Sequence, residues 1–315
     1  MNALRSVVLA VLVFLVLMAA LFYGITREAD GAQNASRATD NIQDRPAQSA
    51  PGDVPAEITT KPLPSLARSL SGAKRGWGLG ASTDAFGRPL DAVAAQEKYK
   101  DLGSYFVFTD DEMLVYLTFD LGYENGYTPS ILDTLLEKNV KATFFVTQEY
   151  IDDAPLIVKR IIDEGHTLGN HTVNHPSMPD VSDERAKQEI NQLHDNVLKE
   201  YGYKMQLFRY PMGEYSEKSM SLVYGLGYRS IFWSFAYKDW LTDAQPDPTA
   251  SLKRVTDALH PGAIYLLHAV SSTNDAIMGD FIDSAREKGY EFALVDEKLG
   301  LVERKPSPDE TQSII

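Results

Sequence analysis

The sequence contains no cysteine among its 315 residues. This absence excludes disulfide bonds, cysteine nucleophiles and cysteine-ligated metal sites, whatever the cellular compartment. Positive charge is also scarce, because residues 76–315 carry only 22 of the 30 lysines and arginines but 38 of the 44 acidic residues. Nucleic acids bind through cations that contact their phosphates, so an acidic domain is a poor partner for them. The composition therefore predicts no nucleic-acid partner and favours a neutral or mixed-charge substrate.

One long hydrophobic run lies at the N-terminus. Residues 6–25, SVVLAVLVFLVLMAALFYGI, carry no charge and are long enough to cross a bilayer as a helix. Arg5 precedes the run and favours a short cytoplasmic end at residues 1–5. A cleaved signal peptide is the alternative, although its apolar region is usually shorter and Ala29-Asp30-Gly31 is a poor cleavage site. Both interpretations predict export, either as a single-pass protein on the outer face of the membrane or secreted into the cell wall.

The rest of the chain divides by composition. Residues 26–75 are rich in Ala, Asp, Gln, Ser and Pro without periodicity, which predicts a flexible linker. Residues 76–305 alternate apolar runs with amphipathic segments, and this pattern predicts an α/β domain with about seven parallel strands and helical crossovers. The pattern leaves open whether the sheet closes into a barrel or stays an open, doubly wound sheet. Residues 306–315 are predicted to form a disordered tail.

Unusual polar side chains recur where the predicted strands end. The carboxyl ends of parallel strands carry the active site in such folds, so these residues are expected to share one site. They are Asp120 after the first strand, His171 and His175 after the third, Arg209 at the end of the fourth, Asp239 and Trp240 after the fifth, and His268 at the end of the sixth.

Two of these side-chain types suggest metal and proton chemistry. His171 and His175 are four residues apart, and two neutral imidazoles suit zinc or a similar divalent ion. A solvated loop is the alternative for this pair. His268 can act as a general acid because its pKa lies near working pH, or it can be a core residue bonded to backbone.

Arg209 predicts an ion pair. A buried guanidinium needs a carboxylate partner, and Asp120 would serve while remaining ionised. An ordinary structural ion pair is the alternative. Of the remaining histidines, His194 is assigned to a helix face, and His166 and His260 to packing or turns.

Five segments, in this order, resemble the motifs of the polysaccharide deacetylases, the NodB-type carbohydrate esterases. The resemblance covers about residues 114–297 and implies a distorted barrel of seven or eight strands that hydrolyses a sugar acetamide. The segments are TFDLG at 118–122, HTVNHP at 171–176, RYPMG at 209–213, the Asp239-Trp240 pair that ends WSFAYKDW, and LLH at 266–268.

Longer stretches are similar to one branch of that family. YLTFDLGYENGYTP, WSFAYKDW, HPGAIYLLH and the WGLG segment at 77–80 look like the branch that deacetylates N-acetylmuramic acid and forms the muramic δ-lactam of spore cortex. This similarity implies a peptidoglycan glycan strand as the partner. Two alternatives stay open: deacetylation of N-acetylglucosamine in wall glycan or chitin, and an inactive glycan-binding homologue.

The resemblance also implies a role for each motif residue. Asp120 matches the general base, Arg209 the residue that orients it, and His268 the general acid. His171 and His175 match metal ligands. The substrate-binding group comprises Trp240 and Leu266 as walls of the acetyl pocket, Met212 as a backbone oxyanion donor, and Tyr210 within the third motif.

Two positions depart from the family pattern. Leu121 stands where the family has a second Asp that ligates the metal, so a divalent ion, zinc in the first place, is expected to be weakly held. Without that second Asp there are three options: Asp120 becomes the third metal ligand, water fills the vacant position, or the reaction proceeds with little metal. The second departure is Ala236, where many relatives have an Asp that tunes the acidic histidine, and Asp239 is the candidate to replace it and is counted with the catalytic residues.

Overall fold

The computed structural model describes residues 69–301. The predicted cytoplasmic end (1–5), the hydrophobic segment (6–25), the linker up to residue 68 and the tail from residue 306 lie outside the described residues. No helix in the described part is both long and apolar enough to span a bilayer.

The strands of residues 69–301 form one large sheet and one small one. The large sheet has the order β2-β8-β6-β5-β4-β3-β10-β9, with β11 also beside β3, and its neighbours pair in parallel, whereas β1 and β7 form an antiparallel pair. The strands are β1 Arg75–Gly76, β2 Ser104–Tyr105, β3 Leu114–Leu121, β4 Thr143–Val146, β5 Thr167–Asn170, β6 Leu207–Phe208, β7 Glu214–Tyr215, β8 Arg229–Ile231, β9 Phe235–Ala236, β10 Ala263–His268 and β11 Glu291–Phe292.

Helices cover the outer side of this sheet. Their starts follow from local sequence: Ser182 and Asp247, for example, cap helices by accepting a hydrogen bond from the backbone N–H three residues on. The helices are α1 Leu90–Tyr99, α2 Thr128–Glu137, α3 Gln148–Asp153, α4 Pro155–Asp163, α5 Asp183–Tyr201, α6 Glu217–Gly225, α7 Pro248–Asp257, α8 Ser272–Glu287 and α9 Val295–Lys298.

The sheet is a curled half barrel rather than a closed barrel. The prediction of a parallel α/β fold is confirmed, because all seven predicted strands lie in one parallel sheet. The end strands β2 and β9 do not pair with each other, so a seam remains between them. The expected barrel is therefore correct in its strands and curvature but not in closure.

The N-terminal segment packs at that seam. Trp77 donates a hydrogen bond from Nε1 to the carbonyl oxygen of Trp233 at 2.9 Å, and its ring lies edge-on to Phe106 with centroids 4.5 Å apart. Ser71 donates its backbone N–H to Glu217. Residue 71, in the stretch predicted to be linker, thus contacts the helix that contains Glu217. We call residues 75–80 the strap.

Alternation along the strands separates two sets of side chains. Successive residues of a strand point to opposite faces, so Thr118 and Asp120 share the concave face of the sheet with Tyr116. Tyr116 belongs there to an apolar cluster with Phe145 of β4, Leu207 of β6, Ile231 of β8 and Ile264 of β10. Leu117, Phe119 and Leu121 belong instead to the larger core between the sheet and the helices. The concave face therefore has an apolar floor and polar groups at its carboxyl rim.

Candidate active site

Asp120 and His268 lie side by side at the carboxyl rim of the sheet. They are register partners on β3 and β10, and both line the same cavity. The cavity also contains His171, His175 and Trp240 in its walls. Of the strand-end residues expected to share one site, these five line the cavity, whereas Arg209 and Asp239 are buried beside Asp120 and His268.

Asp120 faces a buried arginine. Its Oδ1 lies 3.4 Å from Nη1 of Arg209, whose side chain is fully buried. Arg209 donates from Nη2 to Thr118 Oγ1 at 2.7 Å and lies over the ring of Phe145 at 4.6 Å. Thr118 in turn donates to the carbonyl oxygen of Tyr265 at 2.6 Å. This chain of contacts fixes the guanidinium beside the Asp120 carboxylate.

The two histidines of the second motif face each other. His171 Nδ1 donates to the carbonyl oxygen of Arg209 at 2.9 Å, which leaves its Nε2 as a lone-pair donor. That Nε2 lies 3.2 Å from Nε2 of His175 and 3.6 Å from Oδ2 of Asp120. Burial lowers the pKa of His171 to about 4 and also lowers the pKa of His175. Both rings are therefore neutral at neutral pH, the form that binds metal.

The donor set fits a divalent cation held by two residues. The lone pair of His171 Nε2 lies 3.2 Å from His175 Nε2. It can accept a proton from that ring or, with His175 in its other tautomer, the two lone pairs can bind a cation together. No group of three His, Asp or Glu side chains in residues 69–301 is arranged as a complete metal site. Leu121 adds nothing, since its side chain is buried in the outer core. His171 and His175 would hold the ion, and Asp120 Oδ2 is the nearest further donor.

Asp239 holds the imidazole of His268. Its Oδ1 lies 2.7 Å from His268 Nδ1, and its Oδ2 accepts from the His268 backbone N–H at 2.8 Å and from Asn274 Nδ2 at 2.6 Å. Burial by itself lowers the pKa of His268, but the hydrogen bond and charge of Asp239 outweigh it, so the pKa is raised above 6.5. Ala236, which pairs with Leu266 in the sheet, has no carboxylate to offer His268. Asp239 makes that contact instead.

Asn274 and Tyr237 were not among the predicted site residues. Asn274 is fully buried, donates to Asp239 and to the carbonyl oxygen of His268, and accepts from the Tyr237 hydroxyl. An asparagine in the first turn of a helix is usually interpreted as part of the helix cap. The backbone N–H of Asn274 does donate to the capping side chain of Ser271. Only the packing of α8 against the rim reveals that its side chain supports Asp239.

The third motif contributes a strained turn. Met212 has φ 58°, in the left-handed region that non-glycine residues seldom adopt. Thr172 and His175, in the second motif, also have positive φ. The strap supports this turn, because the backbone N–H of Trp77 donates to the carbonyl oxygen of Gly213 at 2.9 Å. Strain of this kind persists where the surrounding structure holds it, and it concentrates at functional sites.

The interpretation of Tyr210 as a substrate-binding residue needs correction. Its side chain is buried and stacks on Phe232 with centroids 5.4 Å apart, and it does not line the cavity. The reason is alternation: Arg209 points to the concave face, so its neighbour points to the outer core. Met212, Trp240 and Leu266, the other predicted members of this group, do line the cavity.

The three remaining histidines serve packing or hydrogen bonding. His194, on α5 as predicted, contacts the Tyr228 hydroxyl at 2.6 Å through Nδ1. His166 Nδ1 accepts the Ala142 backbone N–H at 3.1 Å, and His260 Nε2 contacts Ser234 Oγ at 2.9 Å. None of them lines the cavity described above.

The cavity has two lobes that share Asp120, His171, His175, Trp240 and His268. The acidic lobe, about 710 Å³, is lined among others by Tyr123, Glu149, Asp152 and Asp153. The strap lobe, about 610 Å³, is lined by the residues Gly78, Leu79, Met212, Trp233, Lys238 and Leu266. Exposed aromatic rings at Tyr123 and Trp240 offer flat faces on which a sugar can stack.

Thr118→Val is expected to destabilise the fold by about 1–3 kcal/mol, because Arg209 and the Tyr265 carbonyl each lose a buried hydrogen-bond partner. Urea unfolding measures the loss. Thr143→Val is the matched control: Thr143 pairs with Thr118 across the sheet, is also buried, and its hydroxyl bonds to no described residue. Equal stability of the two variants would contradict the assigned role of Thr118.

The geometry agrees with comparisons to known proteins. A family model described as polysaccharide deacetylase matches residues 109–231. The peptidoglycan-N-acetylmuramic acid deacetylase PdaA of Bacillus subtilis is 38% identical over 214 residues, 68% of this chain and 80% of that protein. The chain belongs to the polysaccharide deacetylases. This confirms the family resemblance and makes it a homologue of carbohydrate esterase family 4 enzymes, hydrolases of amide bonds.

Solved structures of polysaccharide deacetylases share the fold. The structure of B. subtilis PdaA, a family 4 carbohydrate esterase, matches with a TM-score of 0.70 and 33% identity over 74% of this chain and all of that chain. A family 4 pseudoenzyme from Bacillus anthracis matches with a TM-score of 0.57 and 26% identity over 62% of this chain and 68% of that chain. Family 4 deacetylases are generally metal-dependent, which agrees with the facing imidazoles.

Proposed function

We propose that this deacetylase removes the N-acetyl group of N-acetylmuramic acid in peptidoglycan and so supplies the amine from which the muramic δ-lactam of spore cortex forms. The observation that carries the proposal is the shared cavity of Asp120 and His268, each held by its own charged partner, Arg209 and Asp239. Similarity to PdaA supports the choice of sugar. We further propose that the chain is exported and acts at the outer face of the membrane or in the wall.

The chemistry follows from the positions of these groups. A divalent ion held by His171 and His175 would polarise the acetamide carbonyl and lower the pKa of a bound water. Asp120 accepts a proton from the water that attacks the carbonyl carbon. The backbone N–H of Met212 stabilises the oxyanion of the tetrahedral intermediate. Arg209, with Nη1 3.4 Å from Asp120 Oδ1, holds the carboxylate in position to accept that proton.

His268 completes the reaction. The amine is a poor leaving group until it is protonated, so the imidazolium donates a proton to the nitrogen as the C–N bond breaks. Asp239 favours the protonated form of His268 that this step requires. The products are acetate and a free amino sugar. Asp120 has gained a proton and His268 has lost one, so transfer of a proton from Asp120 to His268 through solvent restores the starting state.

The alternative of an inactive homologue is motivated by Leu121 and by the similarity to a pseudoenzyme. The side-chain contacts favour activity instead, because Asp120, Arg209, Asp239 and His268 are all present and paired. N-acetylglucosamine is the other candidate substrate, since a Listeria monocytogenes peptidoglycan-N-acetylglucosamine deacetylase, PgdA, is 33% identical over 58% of this chain and 38% of that protein.

Acetate release by the full-length chain tests the proposal. We expect acetate from peptidoglycan glycan strands stripped of stem peptides, with a muramic δ-lactam among the products by mass spectrometry. The assay is run after chelation and again with added zinc or another divalent metal. Release from chito-oligosaccharides alone would identify a glucosamine deacetylase, and no release with any metal would support the inactive homologue.

A further inference from the structure

Lys238 lies in the wall of the strap lobe and pairs with none of residues 69–301. It follows Tyr237 and precedes Asp239, both of which are buried. Lys238 and Trp240 are both exposed, and both line the lobe. Lys238 forms no hydrogen bond or ion pair with any residue of the described part of the chain. A free ammonium beside a reaction centre is available to a ligand.

The two lobes differ in charge. The acidic lobe carries the carboxylates of Glu149, Asp152 and Asp153, and its lining within residues 69–301 includes no lysine or arginine. In the strap lobe Lys238 is the one lysine or arginine among the described lining residues. A substrate with one anionic substituent is therefore repelled on one side of the site and attracted on the other. This asymmetry orients an anionic sugar with its negative group in the strap lobe.

The strap lobe also has room for a substituent larger than an acetyl group. Its volume is about 610 Å³. Gly78 forms part of its wall, and a Cβ added there would meet no atom within 4 Å. Leu79, Met212 and Leu266 supply apolar surface. The lobe therefore suits a group that combines a small apolar part with a carboxylate.

The lactyl ether of muramic acid is such a group. It carries a methyl and a carboxylate, and it is attached to the ring carbon next to the one that bears the acetamide. N-acetylglucosamine has only a hydroxyl there. We propose that Lys238 binds the lactyl carboxylate in the strap lobe and thereby makes the deacetylase select muramic acid over glucosamine. This inference rests on the proposed function and assigns its specificity to one residue.

The test compares Lys238→Met with Lys238→Arg in the full-length chain. Acetate release is measured on stem-peptide-free glycan strands, on the same strands with the lactyl carboxylates converted to amides, and on chito-oligosaccharides. An exposed ion pair predicts that Lys238→Met raises KM for the acidic strands about fivefold. Selectivity for acidic over amidated strands should fall by the same factor, and Lys238→Arg should restore it. Lys187→Met, an exposed lysine on α5 outside the cavity, is the matched control.

Salt and binding measurements separate the possible failures. Raising ionic strength should increase KM for the acidic strands in the wild type more than in Lys238→Met. All three tryptophans lie in or against the cavity wall, so quenching of their fluorescence reports binding without turnover. If no acetate is released but N-acetylmuramic acid still binds less well to Lys238→Met than to the wild type, the proposed function fails and the role of Lys238 stands. If acetate is released and the selectivity of Lys238→Met is unchanged, the role of Lys238 is overturned.

Discussion

Replacing Asp120 by asparagine is expected to lower kcat for acetate release by about 10²–10⁴-fold, the range that general-base catalysis contributes. Asparagine fills the same space but cannot accept the proton of the attacking water. The carboxylate is also the nearest further donor to the facing imidazoles, with Oδ2 3.6 Å from His171 Nε2. Initial rates on stem-peptide-free glycan strands, measured with the metal in excess, give the comparison.

The controls for Asp120→Asn address folding and binding. Removing this charge leaves the buried Arg209 guanidinium without its anionic partner, which costs stability. Urea unfolding must therefore show that the variant is folded at the assay temperature. Substrate binding, followed by tryptophan fluorescence, should persist. Wild-type kcat in a folded Asp120→Asn variant would show that another group accepts the proton.

Asp239→Asn is expected to reduce kcat by about a hundredfold or more and to move the alkaline limb of the pH–rate profile to lower pH. His268 must be protonated to donate, so activity is lost as pH rises through its pKa. Burial lowers the pKa of His268, and the hydrogen bond and charge of Asp239, with a smaller contribution from the charge of Asp120, raise it above 6.5. Without that charge the pKa falls, and the protonated acid persists only at lower pH.

A matched variant separates this effect from general charge. Asp243→Asn removes the same charge four residues along, from an exposed side chain in the same loop, and should leave the alkaline limb in place. His268→Gln should abolish the alkaline limb and lower kcat as well. An alkaline limb that is unmoved in Asp239→Asn would mean that His268 is not the acid.

The rim of the site was predictable because two simple rules act together. Parallel strands place their carboxyl ends at one edge, which brought Asp120, Arg209 and His268 together as expected. The alternation of side chains along a strand then decides which neighbours take part. The same rule that points Asp120 to the cavity sends Leu121 to the outer core, and the rule that points Arg209 inward sends Tyr210 outward. The error at Tyr210 came from treating a motif as a set of neighbours rather than as a strand with two faces.

The supporting residues could not be predicted in this way. Asn274 lies six residues beyond His268, and nothing in its local sequence distinguishes a helix cap from a support for Asp239. The strands β2 and β9 are two residues long, too short to show a period. The strap depends on a hydrogen bond between Trp77 and Trp233, 156 residues apart. Contacts of that sequence separation arise from the packing of the whole domain.

The packing of Trp77 bears on where the domain can be cut. The family match begins at residue 109, well after this tryptophan. A truncated protein starting there would lack Trp77, Phe106 and β2. It would expose the ring of Phe232 and the edge of β8 that β2 covers, and would lose one wall of the substrate cleft. Exposed aromatic surface and an uncovered strand edge promote aggregation. Crystallisation or assay of the catalytic part therefore calls for a start before Ser71.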